Sequence, residues 1–162
     1  MSKIKMVVTD LDGTYFYNGM PMVENQRAVQ MAREQGVKVF ACTGRSWAMC
    51  SYTMQHIGMD DWAVTGNGAS VTQVSTGKLH HPCFVDRQHV GPILRFIASN
   101  GKYKLNTYCG DMMYTTKELL PWWLEDSDKQ NQTLPKEQWT RFTVCDSLEE
   151  MIEKSQDVCE LI

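Results

Sequence analysis

No stretch of this 162-residue chain reaches the roughly eighteen consecutive apolar residues that a membrane span needs. The opening segment, MSKIKMVVTDLDGT, meets an acidic cluster after only a few apolar residues, too few for the apolar centre of a secretory leader. Both absences predict a cytoplasmic protein with no membrane partner. A basic excess is missing too: sixteen Lys and Arg against nineteen Asp and Glu leave a formal net charge of −3. Nucleic acid, whose phosphates call for clustered cations, is therefore not an expected partner. Cysteines at metal or disulfide-framework spacing are lacking, because Cys42, Cys50, Cys83, Cys109, Cys145 and Cys159 are scattered without a C-x-x-C pair. Isolated thiols are the expectation. Repeats and low-complexity tracts are absent as well. What remains, 43% hydrophobic and 22% charged residues, is the composition of a globular chain of one domain, or one domain plus an insertion.

Along the chain, Ile4, Met6, Val7 and Val8 form a short apolar run that ends in Asp-Leu-Asp-Gly, the pattern of a buried strand followed by a tight turn. Val23 to Gln35 carries Ala28, Met31 and Ala32 at helical spacing, with Gly36 as the stop. Val37 to Ala41 reads as a strand. Ser46 stands where a cap is expected for a helix bearing Trp47, Cys50, Met54 and Ile57, and Trp62 to Thr65 is a third strand running into Gly66-Asn67-Gly68. Strand, helix, strand, helix, strand predicts an α/β fold with a parallel sheet, because parallel neighbours need a covering crossover.

After Gly68 the texture changes. Ser70 to Val74 and Lys78 to His81 flank Ser75-Thr76-Gly77 as a hairpin. Gln88 to Asn100 is helical. Lys104 to Tyr108 and Met112 to Thr115 read as a second hairpin, and Arg141 to Val144 as a further strand. Ser147-Leu148-Glu149-Glu150 is a capping box opening a helix to about Ser155, and Asp157 to Ile162 begins another strand. Asp126 to Thr133 is polar enough to be a mobile loop. Trp122, Trp123 and Trp139 either fill a core or line a pocket.

The sharpest feature is Thr9-Asp10-Leu11-Asp12-Gly13-Thr14, at the carboxyl end of the first strand, the edge where open α/β sheets gather ligands. Two carboxylates ~4 Å apart repel by about 4 kcal/mol at an effective dielectric of 20, so the cluster invites a cation or a proton. Hard oxygen donors suit Mg²⁺, which takes few protein carboxylates and fills its shell with water and phosphate. An isolated D-x-D-G is also an ordinary Asx-turn. Its company tips the balance: the second strand ends in Ala41-Cys42-Thr43-Gly44-Arg45, which brings a hydroxyl, a glycine turn and a helix amino terminus to the same edge.

D-L-D-G-T, then C-T-G-R, then G-N-G-A after the third strand occur in the order and approximate spacing of the haloacid dehalogenase superfamily, and the sequence resembles its Cof-type phosphatases with a large cap. That resemblance implies a Rossmann-like parallel sheet core with an inserted α+β cap, both partial: residues 1–82 as the first part of the core and 83–162 as an incomplete cap. It implies Asp10 as the nucleophile that forms an aspartyl phosphate, and Asp12 as general acid and base. Mg²⁺ would be held by Asp10 and by the main-chain carbonyl of Asp12. The Leu11 N–H, the Thr43 hydroxyl and the Gly44 N–H would hold the phosphoryl oxygens. Arg45 either favours an anionic substrate or is a surface charge at a helix start, and Asn67 either faces the leaving group or completes a turn. The substrate implied is a small phosphorylated metabolite of the sugar-phosphate class.

Two family elements are not found: a Lys that neutralises the phosphoaspartate, and a Gly-Asp-x-x-x-Asp/Asn sequence that completes the metal shell. Gly110-Asp111 continues Met-Met-Tyr-Thr and reads as a hairpin turn, and Lys102 and Lys104 read as solvated charges. The expectation is therefore the front part of a longer enzyme, weakly active or inactive alone, with its first strand left as an apolar sheet edge. The alternatives are a non-catalytic phosphate- or metal-binding module and a phosphoacceptor switch of the receiver type.

Overall fold

The computed structural model describes residues 4–17, 20–102, 105–119, 125, 132, 136, 139 and 141–161. Three parallel strands carry the first sheet. β1 (Met6–Thr9) pairs with β4 (Lys38–Cys42), which pairs with β5 (Trp62–Thr65). The crossovers are α1 (Val23–Glu34) and α2 (Trp47–His56). Gly36 and Gly58, both at positive φ, turn the chain back after each helix, a conformation only glycine adopts without strain. The hairpin β6 (Ser70–Gln73) and β7 (Lys78–His80) then extends the same sheet antiparallel, in the order β1-β4-β5-β6-β7. A two-residue pair that the sequence pattern does not announce, β2 (Phe16–Tyr17) with β3 (Met20–Pro21), follows the acidic turn.

The core of this unit joins Leu11, Tyr15 and Phe16 to Val39 and Ala41 of β4, and to Trp47, Cys50 and Met54 of α2. Leu11 is fully buried, worth about 1.5–3 kcal/mol, and it anchors the turn between the two acidic residues. Ser46 corrects an expectation: it occupies the position before α2, but its hydroxyl makes no cap and is buried without a partner. β1 corrects one expectation and meets another: its apolar run predicts a buried strand, yet it is the apolar sheet edge expected when the later family elements are missing, with Met6, Val7 and Val8 40–58% exposed.

The second unit begins with α3 (Arg87–Asn100), capped by the Asp86 carboxylate and stopped by Gly101. β8 (Thr107–Cys109) and β9 (Met112–Thr116) form the second hairpin. β10 (Phe142–Cys145) adds to it in parallel, and β11 (Glu160–Leu161) closes the other side, in the order β10-β9-β8-β11. α4 (Leu148–Lys154) starts as the capping box predicts, with the Glu150 N–H donating to Ser147, although the Glu150 carboxylate accepts from Asp146 rather than from Ser147. Val90, Leu94, Leu105, Cys145, Met151 and Val158 are its core. The two units meet where Ala48 of α2 packs with Tyr108 and Met113, and the Tyr108 hydroxyl donates to Met49 Sδ at 3.1 Å. Asp126–Thr133, apart from Gln132, and the Trp122-Trp123 pair lie outside the described residues. All six cysteines are free. Among the described residues, no helix is long and apolar enough to cross a membrane.

Candidate functional site

The carboxyl ends of β1, β4 and β5 bring the three sequence motifs to one edge. Directly after β1, Asp10 is exposed, and its Oδ1 accepts the Leu11 N–H at 2.7 Å. The turn beyond is closed by main-chain bonds from Phe16 and Thr14 to the Leu11 carbonyl, so the two acidic residues sit on a fixed loop over a buried leucine. In this arrangement the Leu11 N–H, expected to hold a phosphoryl oxygen, donates to the Asp10 carboxylate instead.

Asp12 points to a different partner. Arg45 Nε donates to Oδ2 at 2.8 Å and Nη2 to Oδ1 at 2.6 Å, a two-bond clamp that matches the planar guanidinium to the carboxylate. The guanidinium also lies over the Phe16 ring, 5.5 Å from its centroid. The Arg45 hydrogen bonds hold the Asp12 carboxyl below its usual range, so it stands ionised. Arg45, read from sequence as a substrate contact or a surface charge, is the counter-ion of Asp12 in this structure.

On the other side, Thr43 is buried, and its hydroxyl accepts the Arg45 N–H at 3.1 Å, which leaves its own proton to donate. The Thr43 to Arg45 loop is tied to the turn after β5 by two main-chain bonds, Gly66 N–H to the Arg45 carbonyl and Asn67 N–H to the Thr43 carbonyl. Asn67 adopts a left-handed φ of 54° and lays its side chain against Gly44. A Cβ on Gly44 would stand 2.8 Å from Asn67 Oδ1, so a glycine is what lets the two loops approach. Beneath this turn, Thr65, Ser70 and Thr72 share a buried hydroxyl cluster. Cys50, close to the Asp12–Arg45 pair, is pushed up to about 12 by burial and is no nucleophile.

Among the described residues, no group of three or more His, Cys, Asp or Glu side chains gathers as a metal cage. The chain's own hard donors at this edge, the exposed Asp10 carboxylate and the main chain of the acidic turn, fit a cation that takes few protein ligands and completes its shell with water and phosphate. Gly110-Asp111 is the turn of the second hairpin, with Asp111 paired to Arg141 at 2.6 Å, and Lys102 is exposed. Lys104 lies outside the described residues. One residue of the site escaped the sequence reading: Glu160 of β11, whose carboxylate accepts from Asn67 Nδ2 at 2.5 Å. Its one signal was a single acid within the apolar stretch Val158-Cys159-Glu160-Leu161.

Residues 7–162 match the family model described as haloacid dehalogenase-like hydrolase. Phosphatase YwpJ of Bacillus subtilis is 28% identical over 113 residues, which cover 69% of this chain and 39% of that protein. A haloacid dehalogenase-like hydrolase structure from B. subtilis superposes with a TM-score of 0.73 at 22% identity, covering 96% of this chain and 59% of that one. The structure of a subclass IIB sugar phosphatase superposes at 0.66 and 16% identity, covering 95% and 56%. Both structural likenesses carry the fold, and the chain spans well under two thirds of each of these proteins.

Proposed function

Because the chain belongs to the haloacid dehalogenase-like hydrolases, we propose that it is the part of a Mg²⁺-dependent phosphohydrolase that carries the nucleophile and the phosphate loop, acting on small phosphorylated metabolites of the sugar-phosphate class. Residues 1–82 are then the first part of the catalytic core and 83–162 part of its cap. The observation that carries this reading is the placement of Asp10 at the end of β1, on the same sheet edge as Thr43 and Gly44. A subclass IIB sugar phosphatase with the same fold supports the substrate class.

In the reaction, a carboxylate oxygen of Asp10 bonds to phosphorus as the bond to the leaving oxygen breaks. Asp12 gives its proton to that oxygen. A water then attacks phosphorus, Asp12 takes the water's proton, and inorganic phosphate leaves as Asp10 is regenerated. The Thr43 hydroxyl and the Gly44 N–H hold the phosphoryl oxygens throughout. Asp10 and the Asp12 carbonyl would hold Mg²⁺, which when bound supplies positive charge facing the phosphoryl group. Arg45 adds a condition: while it clamps Asp12, that carboxylate stays ionised and has no proton to give. A phosphate that draws the guanidinium to itself frees Asp12 to act as the acid.

The clamp also favours a second reading, a phosphate- and metal-binding module without turnover, because it holds the Asp12 carboxylate away from acid duty. The test is hydrolysis of p-nitrophenyl phosphate with Mg²⁺ by the full chain and by Asp10→Asn. Slow, Mg²⁺-dependent turnover that vanishes in Asp10→Asn is the expected result. Turnover that survives Asp10→Asn refutes the assigned nucleophile, and calorimetric binding of orthophosphate with no turnover selects the module.

A further inference from the structure

The proposed reaction makes no use of a carboxyl group buried at the seam between the two sheets. Glu160 is only 9% exposed, on the short strand β11, opposite Tyr108 of β8. Its Oε1 accepts from Asn67 Nδ2 at 2.5 Å, while Oε2 is enclosed with no hydrogen-bond partner, beside Gly66, where a Cβ would come to 3.9 Å from it. The other end of the Asn67 amide, Oδ1, is the atom pressed against Gly44. A single side chain therefore runs from the buried carboxyl to the Thr43–Gly44 loop.

We propose that Glu160 is a positioning residue: in its neutral form it locks Asn67 against Gly44 and sets the shape of the phosphate loop, and its ionisation releases the lock. This rests on the reading of Thr43 and Gly44 as phosphate-holding groups. The Asn67 N–H on its own favours the charged acid, and what turns the balance against charge is the second oxygen. An ionised carboxylate here keeps one oxygen out of reach of water and without a donor, an arrangement that costs far more for a charge than for a neutral acid. The groups facing it offer no relief. Tyr108, from β8, spends its hydroxyl proton on Met49, and Cys159, beside it on the chain, is itself pushed up by burial. On the phosphate-loop side, Arg45 is already committed to Asp12, and Asp10 adds only a further carboxylate, which offers no donor. Burial accordingly raises the Glu160 carboxyl above its usual range, with the Asn67 bond opposing in part.

Glu160→Gln keeps the neutral shape and the acceptor for Asn67, and Glu160→Ala removes the acceptor. In the ¹⁵N-labelled full chain, titrated from about pH 3.5 to 8, the Gly44 amide and the Asn67 side-chain amide should move together with one midpoint above the ordinary Glu value near 4.3. Both signals should stay still in Glu160→Gln. A Gly44 signal that does not move in the wild type, or that moves equally in Glu160→Gln, overturns the proposal. Calorimetry with sulfate, a dianion over this whole range, supplies the functional arm. Wild-type affinity should fall about three- to tenfold across the titration, the loss expected when one buried hydrogen bond is given up, while Glu160→Gln stays at the tight limit and Glu160→Ala at the weak one. Coupled amide titration with no sulfate binding at any pH upholds the lock and overturns the phosphate reading of the loop, so the two failures are distinct.

Discussion

Gly44→Ala tests how tightly the two loops of the site are fitted. The backbone at Gly44 is outside the left-handed region, so alanine meets no conformational penalty there. What it meets is Asn67: the new Cβ would lie 2.8 Å from Oδ1 and 3.4 Å from both Cγ and Nδ2. The first distance is shorter than real Cβ contacts, and relief requires the amide to swing away. A free surface asparagine would do so at little cost. This one is held by Glu160 at its nitrogen and by the Thr43 carbonyl at its main-chain N–H. The overpacking should therefore cost about 1–3 kcal/mol, or roughly 2–10 °C in Tm for a chain of this length.

The cost should disappear when the obstruction does. Asn67→Gly removes the crowding atoms and suits the φ of 54°, at the expense of the Glu160 hydrogen bond, about 1 kcal/mol. In that background Gly44→Ala should be nearly neutral, so urea unfolding of the four proteins, at a pH below the Glu160 midpoint, should give a coupling energy of about 1–3 kcal/mol in the sense of rescue. Costs that simply add, to within about 0.5 kcal/mol, would refute the claim that Asn67 is fixed against Gly44.

Two further outcomes follow from the site and its sheet. The depressed Asp12 carboxyl means that the clamp with Arg45 stabilises the fold above the unfolded Asp value near 3.9 and loses that contribution as pH falls through the lower folded value. Since the Asp12 side chain is 54% exposed, the gain is at most about 1 kcal/mol, and Arg45→Ala should lie that far below the wild type at pH 7, with the gap closing toward about pH 2; a gap constant with pH would contradict it. At the open edge, Val8→Lys should lower self-association in light scattering while shifting stability by no more than about 0.5 kcal/mol, because Val8 is half exposed and the strand offers unpaired backbone groups. Unchanged scattering would show that β1 is not the adhesive surface.

The sequence reveals elements whose signals are local and conceals those created by closure. β1, β4, β5, both hairpins and the helices announce themselves through apolar runs, helical spacing and glycine stops, and their observed bounds differ from the expected ones by a residue or a few at each end. β2 and β3, two residues each, exist because the acidic turn folds back on Leu11, which no periodicity encodes. The run from Met6 to Val8 correctly says that a strand forms, but a continuous apolar run says only that the strand is suited to burial, not which neighbour supplies it.

At the site, residue spacing places Asp10, Asp12, Thr43, Gly44 and Asn67 at one sheet edge, and the structure brings them there. Electrostatics between them is another matter, because it depends on pairs far apart in the chain. The repulsion expected between two neighbouring carboxylates suggested a cation or proton shared by both. The structure divides the problem: Arg45, 33 residues on, neutralises Asp12, while Asp10 is left to the Leu11 N–H and to solvent. Glu160, 93 residues from Asn67, is more remote still. In both cases the deciding contact is a long side chain reaching across a loop, so motif spacing identifies which residues gather, and only the folded chain shows which of them are still free to meet a phosphate. On the proposed reading, the groups with capacity in hand are the Asp10 carboxylate, the Thr43 hydroxyl and the Gly44 amide, whereas Asp12, clamped by Arg45, would first have to be released.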